Sequence, residues 1–72
     1  MTRKHFEAIA AELRRQDPRP NVEHFDYPTA PAWERGAYDE WATIVIGIAS
    51  TLAQFNPGFD RDRFYAAVGF AA

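Results

Sequence analysis

The run YDEWATIVIGIASTLAQF, residues 38–55, decides how this chain folds. Within it Tyr38, Trp41, Val45, Ile48, Leu52 and Phe55 follow one another at spacings of 3, 4, 3, 4 and 3. An α-helix returns to one face at that interval, so the six side chains make a continuous apolar seam. Thr43 to Ile48 is rich in β-branched residues and also fits a short buried strand. The seam runs in phase on both sides of it, and the reading adopted is one helix from about Ala32 to Phe55, ended by Asn56-Pro57-Gly58. No charge occurs from Trp41 to Phe59, but the dense apolar part is Ala42 to Ala53, interrupted by Thr43, Ser50 and Thr51. A membrane span needs about 20 apolar residues, whereas runs of about 10–14 are core helices. A core helix is therefore expected here, and no membrane partner.

Outward from this helix, the C-terminal segment carries well-marked boundaries. Asp60 is a candidate N-cap, with Phe59 before it and Phe64 at the fourth helical position, the spacing of a hydrophobic staple. Gly69 stands where a left-handed C-terminal residue belongs, and Phe70 can fold back on Tyr65 or Phe64. These signals predict a short helix that must dock to persist. Towards the N-terminus, Phe6, Ile9, Ala10 and Leu13 lie at i, i+3, i+4 and i+7, an amphipathic stripe over Thr2 to about Gln16. Thr2 can cap its start, Arg14 and Arg15 suit the negative end of its dipole, and Asp17-Pro18 stops it. Between the first two helices lie Pro18, Pro20, Pro28 and Pro31. That density allows only an extended or turn-rich connection, with room for a short strand. It also holds Val22, His24, Phe25 and Tyr27, rings that a free linker does not normally carry. The expectation is an all-α fold, one small three-helix domain over residues 1–72. The two longer helices pack antiparallel, and the proline-rich loop lies over a flank.

Composition narrows the chemistry. Seventy-two residues bury only about 60% of their unfolded surface. There is no cysteine, which excludes disulfides and cysteine-ligated zinc. The eleven aromatic residues supply the buried area instead. Two histidines, His5 and His24, are too few and too separated in sequence for a metal site of their own. Asp39 and Glu40 are adjacent and so diverge on a helix, and Asp60 and Asp62 read as a cap and a first-turn charge. No nucleophile motif or Gly-rich phosphate loop is present. The chain is not expected to be an enzyme, and no cofactor is expected. Net charge is −2, which argues against nucleic acid as the partner, although Arg61 and Arg63, or Arg14, Arg15 and Arg19, offer contacts to phosphate. The N-terminus shows no secretory signal pattern.

The segment Asn56-Pro57-x-Phe59-Asp60-Arg61-x-Arg63-Phe64-x-x-Ala67-x-Gly69, with the opening Thr2-Arg3-Lys4-x-Phe6-x-x-Ile9-Ala10, resembles a family of short uncharacterised bacteriophage and prophage proteins. The likeness covers roughly the first 13 and last 15 residues. Many members have a cysteine before the terminal glycine, where this chain has Val68. The resemblance implies a viral or prophage origin and the host bacterial cytoplasm as the setting. Against that background the middle of the chain stands out. Glu23, Phe25, Asp26, Tyr27, Trp33, Glu34, Tyr38, Asp39 and Glu40 set rings beside carboxylates, opposed there by Arg35 alone. Rings anchor protein interfaces, and carboxylates steer towards basic partners. The same rings could equally be cover for a small core. The leading expectation is an accessory protein that binds, and in its sharpest form inhibits, a host protein with a basic nucleic-acid groove, as anti-CRISPR proteins do. The alternatives are a small nucleic-acid-binding regulator and a structural or assembly protein of the virion. Ile44 and Ile46 lie off the seam, as does Ala49, which leaves the long helix apolar around much of its circumference. They are the candidate interface of a homodimer.

Overall fold

The computed structural model describes residues 2–70. Three α-helices carry the fold: α1 (Arg3–Arg15), α2 (Ala32–Phe55) and α3 (Arg61–Val68). The loop between α1 and α2 contains two single 3-10 turns, Val22–His24 and Tyr27–Thr29, where the sequence left room for a strand. The all-α three-helix reading holds. The stretch Thr43–Ile48 is helix, continuous with the turns on either side. Twenty-four residues at about 1.5 Å each make α2 about 36 Å long, which accounts for the 38 Å long axis of a body 18 × 16 Å in section. Among the described residues, no helix is long and apolar enough to cross a membrane.

The helix ends are fixed by local chemistry. His5 Nδ1 accepts the Thr2 N–H at 3.2 Å, tying the start of α1 to its first turn. The Asp60 side chain accepts the Arg63 N–H at 3.0 Å, and Phe59 packs on Phe64 with ring centroids 5.3 Å apart. The staple and cap expected there are both formed. At the other end of α3, Gly69 adopts φ 84°, the left-handed conformation that costs a β-carbon-bearing residue about 1–2 kcal/mol. The Phe70 N–H reaches Tyr65 O at 2.9 Å and the Gly69 N–H reaches Ala66 O at 3.2 Å, the bond pair of a Schellman ending.

The core differs from the expected seam at two places. Trp41, Val45 and Leu52 are buried, with Tyr38 and Ile48 packed at the edge. Ala49 is buried too, though it lies off the 3-4 seam, while Phe55 at the seam's end stands exposed. The cause is phase. A straight α-helix drifts about 20° per heptad against a strict seven-residue repeat, so by residue 55 the seam has rotated out of the core and Ala49 has rotated into it. The packing order also differs from the expected antiparallel pair of long helices. The closest backbone approach is α1 against α3, then α2 against α3. Ala10, which is buried, and Ala67, which is exposed, both line the cleft between α1 and α3. Between α1 and α2 stands the buried Trp41 indole, whose Nε1–H donates to Leu13 O at 2.8 Å.

Candidate functional site

Nine of the eleven aromatic rings form one chain of contacts. It runs from Tyr27 through Phe25, Tyr38, Trp41, Phe70, Tyr65, Phe64 and Phe59 to Phe6, each step between 5.0 and 6.4 Å centroid to centroid. Such distances suit tilted and edge-on ring pairs. The chain explains why the loop is not free: Phe25 stacks on Tyr38 at 5.2 Å, and Tyr27 meets Tyr38 at 6.0 Å. The Tyr27 hydroxyl donates to Asp39 Oδ2 at 3.0 Å. That bond holds the phenol proton and raises the Tyr27 pKa above its ordinary value. Asp26 turns back on its own segment, accepting from the Thr29 hydroxyl at 2.9 Å.

The loop is fastened a second time by Arg19. Its Nε donates to both oxygens of Asp17, at 2.9 and 3.0 Å, and its Nη2 donates to Gly69 O at 2.9 Å. The guanidinium lies over the rings of Tyr38 and Trp41, 5.3 and 5.1 Å from their centroids. Only 10% of the Arg19 side chain and 8% of the Asp17 side chain remain exposed. Hydrogen bonds donated to the Asp17 carboxylate hold the guanidinium protons and raise the Arg19 pKa, so the charge is permanent. The sequence offers Arg19 either as a phosphate contact or as a solvated charge paired with an acidic neighbour such as Asp17; the pair with Asp17 forms, but it is buried rather than solvated. Sequence offers no signal for a bond that spans fifty residues to Gly69 O.

The structure divides the seven residues expected to form a binding surface. Phe25, Tyr27 and Tyr38 come together with Asp26 and Asp39 at the loop–α2 junction, and Glu23 is exposed on the same loop. Glu34 is half-buried on α2. Trp33 stands apart. It is 70% exposed, makes no ring contact, and at about 100° per residue lies about 140° around α2 from Tyr38. The two candidate dimer residues are divided in the same way. Ile44 and Ile46 are both exposed, 55% and 44%, but two residues place them about 200° apart, on opposite flanks of α2. They cannot share one flat interface.

Several other charged groups are engaged in structure. His5 caps α1, and among the described residues no cluster of His, Asp and Glu could hold a metal ion. Arg15 pairs with Glu12 through Nη2 at 2.6 Å, and Arg3 with Glu7 at 3.2 Å, both open to solvent. A cavity of about 310 Å³ between α1 and α3 is lined by Phe6, Phe59 and Phe64, and by Arg3, Glu7, Asp60 and Arg63, whose charges balance. Comparison with known proteins finds no matching family model, no matching curated protein and no matching solved structure.

Proposed function

We propose that this domain is a protein-binding module whose loop–α2 junction docks on a basic surface of a partner protein. The observation that carries the reading is the arrangement around Tyr27: a ring platform of Phe25, Tyr27 and Tyr38 at the loop–α2 junction, with Asp39 bonded to Tyr27, Asp26 bonded to Thr29 and Glu23 exposed on the same loop. Preordered rings lose little conformational entropy on binding, and acidic groups around them accelerate encounter with a cationic face. Residues 21–41 hold five acidic side chains and one basic one, Arg35, whose guanidinium donates to Ala30 O. Direct binding of nucleic acid is disfavoured by the same distribution. Of the arginines offered as phosphate contacts, Arg19 is internal, Arg15 is paired, and Arg61 and Arg63 share their helical turn with Asp60 and Asp62, which leaves Arg14 exposed on α1.

The likeness of the two termini to short phage and prophage proteins supports a role as a phage accessory protein acting on a host protein in the bacterial cytoplasm. A host factor with a basic nucleic-acid groove is the partner whose charge fits best. The test is affinity capture from host lysate with the native protein and with Glu23→Lys, an exposed loop position outside the hydrogen-bond network. One host protein retained by the native form, lost in the variant and released by moderate salt is the expected result. Equal capture by both forms overturns the assignment of the surface. Direct retention of DNA or RNA by purified protein in a salt-dependent gel shift overturns it in favour of a nucleic-acid regulator.

A further inference from the structure

Two aromatic rings stay outside the ring chain, and they lie on one line. Trp33, Ile44 and Phe55 occur at every eleventh residue of α2 and are 70%, 55% and 71% exposed. Eleven residues are close to three full turns, so the three side chains fall within about 40° of one another over a length of about 33 Å. Ala37, Ile48 and Thr51 lie on the same flank, and Glu40 is its single charge. The Phe25–Tyr27 loop meets α2 at Tyr38 and Asp39, about 140° away from the centre of this strip, so the chain's own loop leaves the strip open.

We infer that the occupant of this strip is a second copy of the chain, α2 against α2, antiparallel about a two-fold axis at Ile44. The register follows from the spacing. With Ile44 facing its own counterpart, Trp33 falls opposite Phe55 of the second copy and Phe55 opposite Trp33, since both lie eleven residues from the axis. Ala37 and Thr51 are likewise seven residues from it on either side. A two-fold interface needs this self-complementarity, residue i meeting j while j meets i. Each large ring then meets a large ring, and each small residue a small one. Glu40 comes opposite Ile48 at the margin, where its carboxylate keeps its water.

Charge selects the antiparallel arrangement. Glu34, Asp39 and Glu40 all sit in the first half of α2, and the second half has no charge. Parallel copies would lay acid on acid. Antiparallel copies separate the acidic segments by about 15–20 Å, beyond the ~8 Å screening length at physiological salt. A strip about 33 Å by 10 Å presents on the order of 300–500 Å² per copy, below the ~800 Å² per partner of a standard interface. The dimer is accordingly reversible, with a dissociation constant on the order of tens of micromolar. This interface is independent of the Tyr27 surface and leaves it free in both copies.

Sedimentation equilibrium from roughly 5 µM to 0.5 mM tests the proposal, with Ile44→Glu and Phe55→Gln alongside the native chain. The native protein is expected to pass from monomer to dimer, and each variant to weaken association at least about tenfold with unchanged helical circular dichroism. A native monomer at 0.5 mM overturns the proposal, as does a dimer insensitive to both substitutions. Because the chain has no cysteine, register can be read separately. A mixture of Ala37→Cys and Thr51→Cys chains, oxidised with copper–phenanthroline, is expected to cross-link between the two variants. Cross-linking of Ala37→Cys only to itself would show a parallel pair and overturn the register.

Discussion

Replacing Arg19 by alanine is the most demanding test of how this fold is held. The substitution removes the fork on Asp17, the bond to Gly69 O, and the cation over Tyr38 and Trp41. What remains is a carboxylate only 8% exposed with its charge unpaired. Removing one partner of a buried pair costs about 3–5 kcal/mol, mostly the penalty on the group left behind. Asp17 sits near the surface and can regain part of its hydration if the loop yields, which lowers the expected cost to about 2–4 kcal/mol. At roughly 0.05–0.15 kcal/mol per residue the whole domain has about 4–11 kcal/mol to lose. The melting temperature should therefore fall by about 10–25 °C, at about 4–8 °C per kcal/mol for a domain of this size. Thermal and urea unfolding followed by circular dichroism measure it. Arg15→Ala is the control, because its pair with Glu12 is open to solvent, and it should leave the midpoint unmoved. Arg19→Lys keeps the charge but not the planar fork and should recover only part of the loss. The double variant Asp17→Ala/Arg19→Ala should be more stable than Arg19→Ala alone, since no buried charge is stranded. A fall of less than about 3 °C for Arg19→Ala, or a double variant worse than the sum of the singles, would refute the latch.

Three further outcomes follow from local geometry. Gly69→Ala should cost about 1–2 kcal/mol in urea unfolding, all of it backbone strain, because an added β-carbon meets nothing within 4 Å; Gly69→Asn should cost less, since asparagine tolerates the left-handed region better. Asp60→Ala removes the side chain that accepts the Arg63 N–H and should cost about 0.5–2 kcal/mol, while Asp60→Ser retains most of the cap. In a spectrophotometric titration at 295 nm, Tyr27 should ionise above the ordinary phenol range because it donates to Asp39. A raised folded-state pKa means the bond's contribution is complete below the unfolded value and disappears as pH rises through the folded one. Tyr27 should return towards ordinary behaviour in Asp39→Ala.

The parts of the fold that could be read from sequence are those specified by neighbours. Asp60 with Phe59 and Phe64, and Gly69 with Phe70 and Tyr65, lie within a few residues of one another, and the structure forms both ends of α3 from them. The extent of α2 was likewise readable, because the 3-4 seam holds phase across its β-branched stretch. What was not readable depends on groups distant in the chain. The Arg19–Gly69 O bond and the Trp41–Leu13 O bond join residues 50 and 28 positions apart, and no spacing rule encodes either. The packing of α1 on α3 likewise joins segments some fifty residues apart.

The candidate site shows the same division more sharply. Sequence placed Trp33 with Phe25, Tyr27 and Tyr38 because they lie within sixteen residues of one another and among the same carboxylates. On the helix, five residues between Trp33 and Tyr38 amount to about 140° of rotation, enough to send one ring to the loop junction and the other to the open flank. Composition can count rings and acids, but phase decides which of them share a surface. The core takes four buried rings, Trp41, Phe64, Tyr65 and Phe70, with Phe6, Tyr38 and Phe59 packed against it, and Trp33 and Phe55 lie outside it. Their exposure is therefore unlike that of Tyr27, whose ring is anchored on Phe25 and Tyr38 and whose hydroxyl is bonded. Burying Tyr27 under a partner would cover a preformed platform, while Trp33 and Phe55 make no ring contact within the domain. If both surfaces are used at once, a dimer would present two acidic platforms to its target, and avidity would raise apparent affinity without any new contact. Ile44→Glu would then weaken capture of a partner with two basic sites while leaving capture of a single-site partner unchanged. Glu23→Lys would weaken both.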